Sequence, residues 1–433
     1  MTSPPEGWTE PERELWQAYR RGAWYDLRGK DAVELRAATI TQLVLGEAGP
    51  APVRIARLRV AGARITGQLD LRDADIDLLL LFVDCVFDEP IMLSGATLRL
   101  LLDRSTLAGL VAQDARITGS LLARQVRVTG PVRLRGTHVA GNLDLTGATL
   151  ANPDGDDALF ADNLVVDGDL LAEGATIDGR VSLIGARIAG DLDVTGATLR
   201  GGGERAALVF AEGTARRLRL RLAPESTGNV ALTDARLGRL YLRPYAWPAG
   251  CTIELDGFSV ERIVPDRHWP AKARVAWIAR HSVGYSPGAY EQLAAAYRRE
   301  GQENDAQLVL RSKELRRHRQ FGPFGQLWGW VQNVTVGFGY APGRALLWLA
   351  GLLAAGTVYF SANPLNPVPN GEAPTWQPFV YTLDLIVPLV DFGHERAYDP
   401  VGSDQGVALI LVMLGWVLAA AVVAGAGRTL KRQ

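Results

Sequence analysis

The residues best placed to do chemistry lie between positions 384 and 395. Asp384, Asp391, Phe392, Gly393, His394 and Glu395 follow or interrupt the apolar stretch Phe379 to Val390. An ionisable group in such a stretch needs a partner or a pathway, because a bare charge in apolar surroundings is costly. Carboxylates converging from several subunits would concentrate cations. His394 alone has the character of an ordinary loop histidine.

Elsewhere the chemistry is sparse. The five histidines (His138, His268, His281, His318, His394) are scattered, and the two cysteines, Cys85 and Cys251, are far apart with no CxxC spacing. A metal site and a disulfide framework are therefore not expected, and a reducing compartment fits. No Gly-x-Gly-x-x-Gly stands between a strand and a helix, and Gly201-Gly202-Gly203 reads as a corner. A Ser-His-Asp set is assembled in space, so residue order does not address it. We expect no catalytic residue, no cofactor and no metal. Asp70 with Asp73, and Asp191 with Asp193, read as solvent-facing acids; Asp144 occupies the template position of Asp193.

The elements that must carry these residues begin with an internal repeat. Gly62-Ala63-Arg64-Ile65-Thr66-Gly67-Gln68-Leu69-Asp70-Leu71 recurs as Gly185-Ala186-Arg187-Ile188-Ala189-Gly190-Asp191-Leu192-Asp193-Val194. Apolar anchors fall every eleven residues at Ile65, Ile76, Phe87 and Leu98, again at Ile117, Val128, Val139 and Leu150, and again at Val166, Ile177, Ile188 and Leu199. The phase slips between Leu98 and Ile117, and after Leu150, where Asn152-Pro153-Asp154-Gly155-Asp156-Asp157 reads as an inserted loop. Strands this short hide an apolar face only by stacking. The spacing predicts a right-handed parallel β-helix over 59–262, with two eleven-residue units per coil and about nine coils. Residues 1–58 read as a helical cap and 263–322 as a helical hairpin.

The rest is apolar. After the basic run Arg311 to Arg319, Phe324 to Tyr340 is aromatic and uncharged, which suits an interfacial segment over 323–342. Ala345 to Ala362 gives eighteen uncharged residues and Val407 to Gly427 twenty-one, each long enough to be read as a transmembrane helix. The loop 363–406 holds six acids against Arg396, a net −5, while Arg344, Arg428, Lys431 and Arg432 flank the two runs. Charge asymmetry then places both termini in the cytoplasm of a multi-pass protein of the cell membrane. No signal peptide precedes them. The net charge of −1 over 433 residues argues against nucleic acid as a partner.

Several resemblances follow. The repeat is similar to pentapeptide-repeat β-helices, though its spacing is not strictly five. The set Tyr290, Leu293-Ala294, Tyr297, Gly301 and Ala306 resembles one tetratricopeptide-type hairpin. Residues 343–430, with pore-loop-like 377–400 and Gly415 as an inner-helix hinge, resemble two-span pore-loop ion channels. Only Gly393 of the potassium filter is kept. The whole chain resembles uncharacterised bacterial membrane-associated β-helix repeat proteins, some labelled membrane-associated oxidoreductases. Its markers are the Gly-Ala-x-Ile-x-Gly-x-Leu-x-Leu solenoid, Tyr290 to Tyr297, and Leu383-Asp384-Leu385-Ile386-Val387-Pro388. These resemblances imply an oligomeric, channel-like protein touching membrane lipids, with Asp384 on a pore helix, Asp391, Phe392, Gly393 and His394 at a constriction, and Glu395 a further pore-loop candidate. The alternatives are a membrane-anchored, non-conducting scaffold whose β-helix takes a cytosolic protein partner and, more weakly, an oxidoreductase.

Overall fold

The structure is a computed structural model. It describes residues 4–30, 33–47, 57–152, 157–201, 206–265, 269–323, 325–326, 330, 342–368, 374–387 and 392–430. The chain divides into two compact units, Met1–Gln302 and Glu303–Gln433.

The first unit is a parallel β-solenoid of about nine turns with helices at its ends. Its twelve anchor positions, from Ile65 to Leu199, are all buried. The coil length follows from the register. Arg116 pairs with His138, Val165 with Arg187 and Thr214 with Arg236, each 22 residues on. His138 to Val165 is 27, because the inserted loop adds five residues. Thr97 to Arg116 is only 19, which is the first phase slip. The regular coil is therefore two eleven-residue halves, and irregular lengths are taken up by inserted loops and by register shifts within the ladders, as between Asp75 and Leu79 and between Asp157 and Leu159.

The corners explain the other constant of the repeat. One corner position per half-coil adopts the left-handed backbone, by glycine in places and by Asp73, Asp84, Arg104, Asp114, Gln125, Asn163, Glu212 and Asp234 elsewhere. Down one edge of the solenoid these corners run Asp73, Gly95, Asp114, Gly136, Asn163, Gly185, each linked to the next coil by a backbone hydrogen bond. The side chain of each acid or amide leans onto the glycine that follows. A Cβ at Gly95 would sit 2.2 Å from Asp73 Oδ1, and one at Gly136 equally close to Asp114 Oδ1. Glycine is needed there for both conformation and room.

The ends are closed differently. At the start, α1 (Glu10–Arg21) and α2 (Ala37–Val44) cover the first coil, and Tyr25–Asp26 and Glu34–Arg36 extend the two sheets. Glu12 ties this cap together. Fully buried, it accepts hydrogen bonds from Thr9 N (2.7 Å), Arg36 Nε (2.7 Å) and Thr39 Oγ1 (2.8 Å). Burial raises its pKa, but these bonds outweigh it and hold the carboxyl at about 2. At the other end, α3 (Ala271–His281) and α4 (Pro287–Arg299) close the last coils, where Trp277 meets Trp247 edge-on and Val283 N bonds Ile253 O at 3.0 Å.

The second unit holds α5 (Glu303–Arg319), α6 (Pro342–Ala362), α7 (Pro378–Ile386), α8 (His394–Ala397) and α9 (Ser403–Leu430). Its core is Phe360, Tyr381, Leu385, Ile386, Tyr398 and Leu411, with Phe360 edge-on to Tyr381 at 4.9 Å. Here four expectations need correction. Among the described residues no helix is long and apolar enough to cross a membrane. The transmembrane helices, the re-entrant segment, the channel reading and the multi-pass membrane location are therefore overturned. Counting uncharged residues measured length, whereas a span needs a sustained apolar surface of about 20 residues. α6 carries Gly351, Gly356, Thr357, Tyr359 and Ser361 among its apolar residues, and α9 opens on Ser403-Asp404-Gln405-Gly406. Of the stretch read as re-entrant, Phe379 to Ile386 lies in α7, nine residues packed against both longer helices, and Pro388 to Val390 lie outside the described residues. Most of the aromatic segment 323–342 lies outside the described residues.

Candidate functional site

In a solenoid each inward anchor has an outward neighbour, and successive coils stack those neighbours into columns about 4.8 Å apart. One such column carries the strongest surface feature. Its first part is Arg59, Leu81, Leu101 and Leu122, in register. It continues as Asp144, Leu171, Asp193, Arg219 and Tyr241. Leu81, Leu101 and Leu122 are half-buried although they point away from the core. Three stacked outward leucines are not what a solvated face needs.

A cleft of about 440 Å³ forms where the turn after α1 overhangs this stripe. Ala61, Leu81, Val83 and Leu101 make the floor, and Trp24, Asp26, Arg28, Asp103 and Arg104 surround it. The wall is held rigidly. Arg28 Nε donates to Asp26 Oδ1 at 2.9 Å, Arg104 Nε to Asp84 Oδ1 at 2.8 Å, and Arg124 grips the buried Asp103. Trp24 is 43% exposed and lies under the Arg59 guanidinium at 5.9 Å. The Arg28 hydrogen bonds hold the Asp26 carboxyl down at about 2, and Arg104 lowers Asp84. Carboxylates held ionised this way are poor proton shuttles near neutral pH. Aromatic wall, apolar floor and fixed charges make a recognition cleft.

Of the acids named from sequence, Asp70 and Asp73 face solvent as expected and Asp191 and Asp193 do not. Asp191 and Asp193 are buried, not solvent-facing, because Arg217 and Arg219 of the next coil fold over them. Asp144 Oδ1 accepts from Thr146 N at 3.0 Å and Asp193 Oδ1 from Thr195 N at 2.9 Å. The shared template position is thus a corner brace. The hydrogen bond shared with Asp193 raises the Glu173 pKa. Asp70 pairs with exposed Arg72, and Asp73 is a left-handed corner. Burial pushes the Cys85 and Cys251 thiols up to about 11, which leaves them unreactive. Among the described residues no group of His, Cys, Asp or Glu could hold a metal ion.

In the second unit the structure does bring most of the 384–395 set together, around one turn. The buried Asp384 accepts from the backbone N–H groups of Phe392 (2.8 Å), His394 (2.9 Å) and Glu395 (2.8 Å). Gly393 supplies the left-handed turn at φ 76°. His394 is buried and stacks on Tyr398, while Phe392 and Glu395 are exposed. Asp391 lies outside the described residues. Gly415 lets α9 pass the end of α7, since a Cβ there would fall 2.4 Å from Ile386 O.

The leucine stripe and its cleft escaped the reading of the sequence. Their trace is a break in alternation, Leu78-Leu79-Leu80-Leu81 and Leu100-Leu101-Leu102, where outward positions stay apolar. The chain matches no family model, no curated protein and no solved structure.

Proposed function

We propose that this chain is a recognition protein whose solenoid holds an extended segment of a protein partner along the Leu81–Leu101–Leu122 stripe. An apolar side chain of the partner enters the cleft beside Trp24. The observation that carries the reading is the cleft itself, an apolar floor on a rigid sheet with its charges already paired within the protein. Such a surface offers burial at little ordering cost, because a solenoid face is preformed. Paired charges at the rim add orientation more than affinity. The finer expectation of a right-handed coil fits this reading and is favoured by the general handedness of parallel crossover connections.

A photo-crosslinking residue placed at Leu101 of the full chain, in its host cell, tests the reading. A single discrete protein adduct is expected, and it should disappear when Leu81→Asp is added. Its absence, or adducts that survive Leu81→Asp, would count decisively against a partner on this face.

A further inference from the structure

A second column on the same sheet changes its charge along its length. Asp169 Oδ1 accepts from Asp191 N at 2.7 Å, and Asp191 is in register with Arg217, Arg217 with Arg239, and Arg239 with Arg262. Acids occupy the earlier coils and arginines the later ones. Asp191 is saturated at the junction: Arg217 bonds it, with Arg219 at 3.4 Å and Arg216 at 3.8 Å. Arg219 also reaches Asp193 at 3.1 Å. The next two rungs have no such counterpart. Arg239 and Arg262 are exposed, and among the described residues neither makes an ion pair. Glu261, next to Arg262 on the same strand, pairs with neither, and Glu254 on the other sheet is engaged by Asn229 Nδ2 at 2.8 Å.

Like charges directly across adjacent strands repel, so two unneutralised arginines in register on strands about 4.8 Å apart are a cost in the free protein. An anion that bridges them removes the repulsion and gains two charge-assisted contacts. We propose that Arg239 and Arg262 form a clamp for a phosphate monoester, borne by a protein segment lying along this sheet. The charge count selects the ligand. Two open rungs carry +2, a phosphate monoester carries about −1.5 to −2 near neutral pH, and a carboxylate carries only −1. The guanidinium fork also matches the tetrahedral oxyanion two oxygens at a time. That the phosphate belongs to a protein rests on the recognition reading above. The clamp does not.

The full chain titrated by calorimetry with a short Gly/Ser-rich peptide carrying one phosphoserine provides the test, with inorganic phosphate as a second probe. The phosphopeptide is expected to bind at least about tenfold more tightly than its unphosphorylated form. Arg239→Gln and Arg262→Gln should each remove about tenfold of that affinity, and should abolish the weaker inorganic phosphate signal. Arg239→Lys should fall between, since it keeps the charge and loses the fork. Arg127→Gln, exposed on the other sheet, should change nothing. Unchanged binding in both glutamine variants with wild-type thermal melts would overturn the clamp. So would equal affinity for a glutamate peptide, or tighter binding of single-stranded DNA that phosphate does not displace. Loss of the Leu101 adduct with intact phosphate binding would sink the recognition reading alone.

Discussion

The solenoid and the helical unit are both rich in apolar residues, yet they use them in opposite ways. In the solenoid the eleven-residue period assigns every residue a neighbour one coil away. Burial follows from period, as the anchors Ile65 to Leu199 show. In the helical unit the apolar runs have no period that names a partner. Leu346, Leu347 and Val358 of α6 stay exposed, while Phe360, two positions after Val358, is fully buried. Length and hydrophobicity locate a helix; a repeat also locates what it touches.

Truncating one buried aromatic in each region sets the comparison most sharply. Phe82→Ala in the solenoid and Phe360→Ala in the helical unit should each cost about 4 kcal/mol. Phe82 sits edge-on to Phe87 within a continuous ladder, so its loss should spread along the coils. Hydrogen exchange should then show protection lost over several coils for Phe82→Ala. For Phe360→Ala the loss should stay within residues 342–430. A confined response in both would erase the distinction.

Two glycines make a matched pair. A Cβ at Gly130 would lie 2.2 Å from Ala108 O, and one at Gly415 lies 2.4 Å from Ile386 O. Gly130→Ala and Gly415→Ala should each cost about 3 kcal/mol, since a carbonyl oxygen cannot rotate aside. Differential scanning calorimetry should show each substitution lowering a different transition.

The two units also bury acids for different reasons. Glu12 has a folded pKa of about 2, below the 4.5 of the free side chain. A depressed carboxyl stabilises above its unfolded pKa, and that stability is lost as pH falls through the folded value. The cap should therefore lose about 3 kcal/mol between roughly pH 4.5 and 2, and Glu12→Gln should flatten that step in acid titrations followed by tryptophan fluorescence. Asp384→Asn replaces a carboxylate that accepts three N–H groups and should cost about 2 kcal/mol, read as a shift of the denaturant midpoint. The smallest effect belongs to Leu101→Gln. It should change stability by under about 1 kcal/mol in chemical denaturation while removing the photo-crosslinked adduct when the probe is moved to Leu122.

The solenoid was legible because its signal is local and repeated. Ile65, Ile117 and Ile188 announce themselves, and both phase slips fall where coils of 19 and 27 residues occur. The left-handed corners at Asp84, Arg104 and Gln125 were not legible, because backbone conformation there is imposed by stacking and not by residue type. The columns were hidden for a related reason. Leu101 and Leu122 become neighbours only once the shortened coil is counted correctly. Asp384 was found as unusual, but its partners Phe392, His394 and Glu395 are backbone groups that side-chain identity does not reveal.

From Asp73 to Gly185 the alternation Asp73, Gly95, Asp114, Gly136, Asn163, Gly185 gives this edge a parity, which ends where Glu212 and Asp234 follow one another. Removing one coil would set Asp against Asp and glycine against glycine, with crowding at some corners and gaps at others. Removing two consecutive coils would restore the pattern intact. Between Asp73 and Gly185 the smallest block that can be copied, lost or exchanged along this edge is therefore a pair of coils.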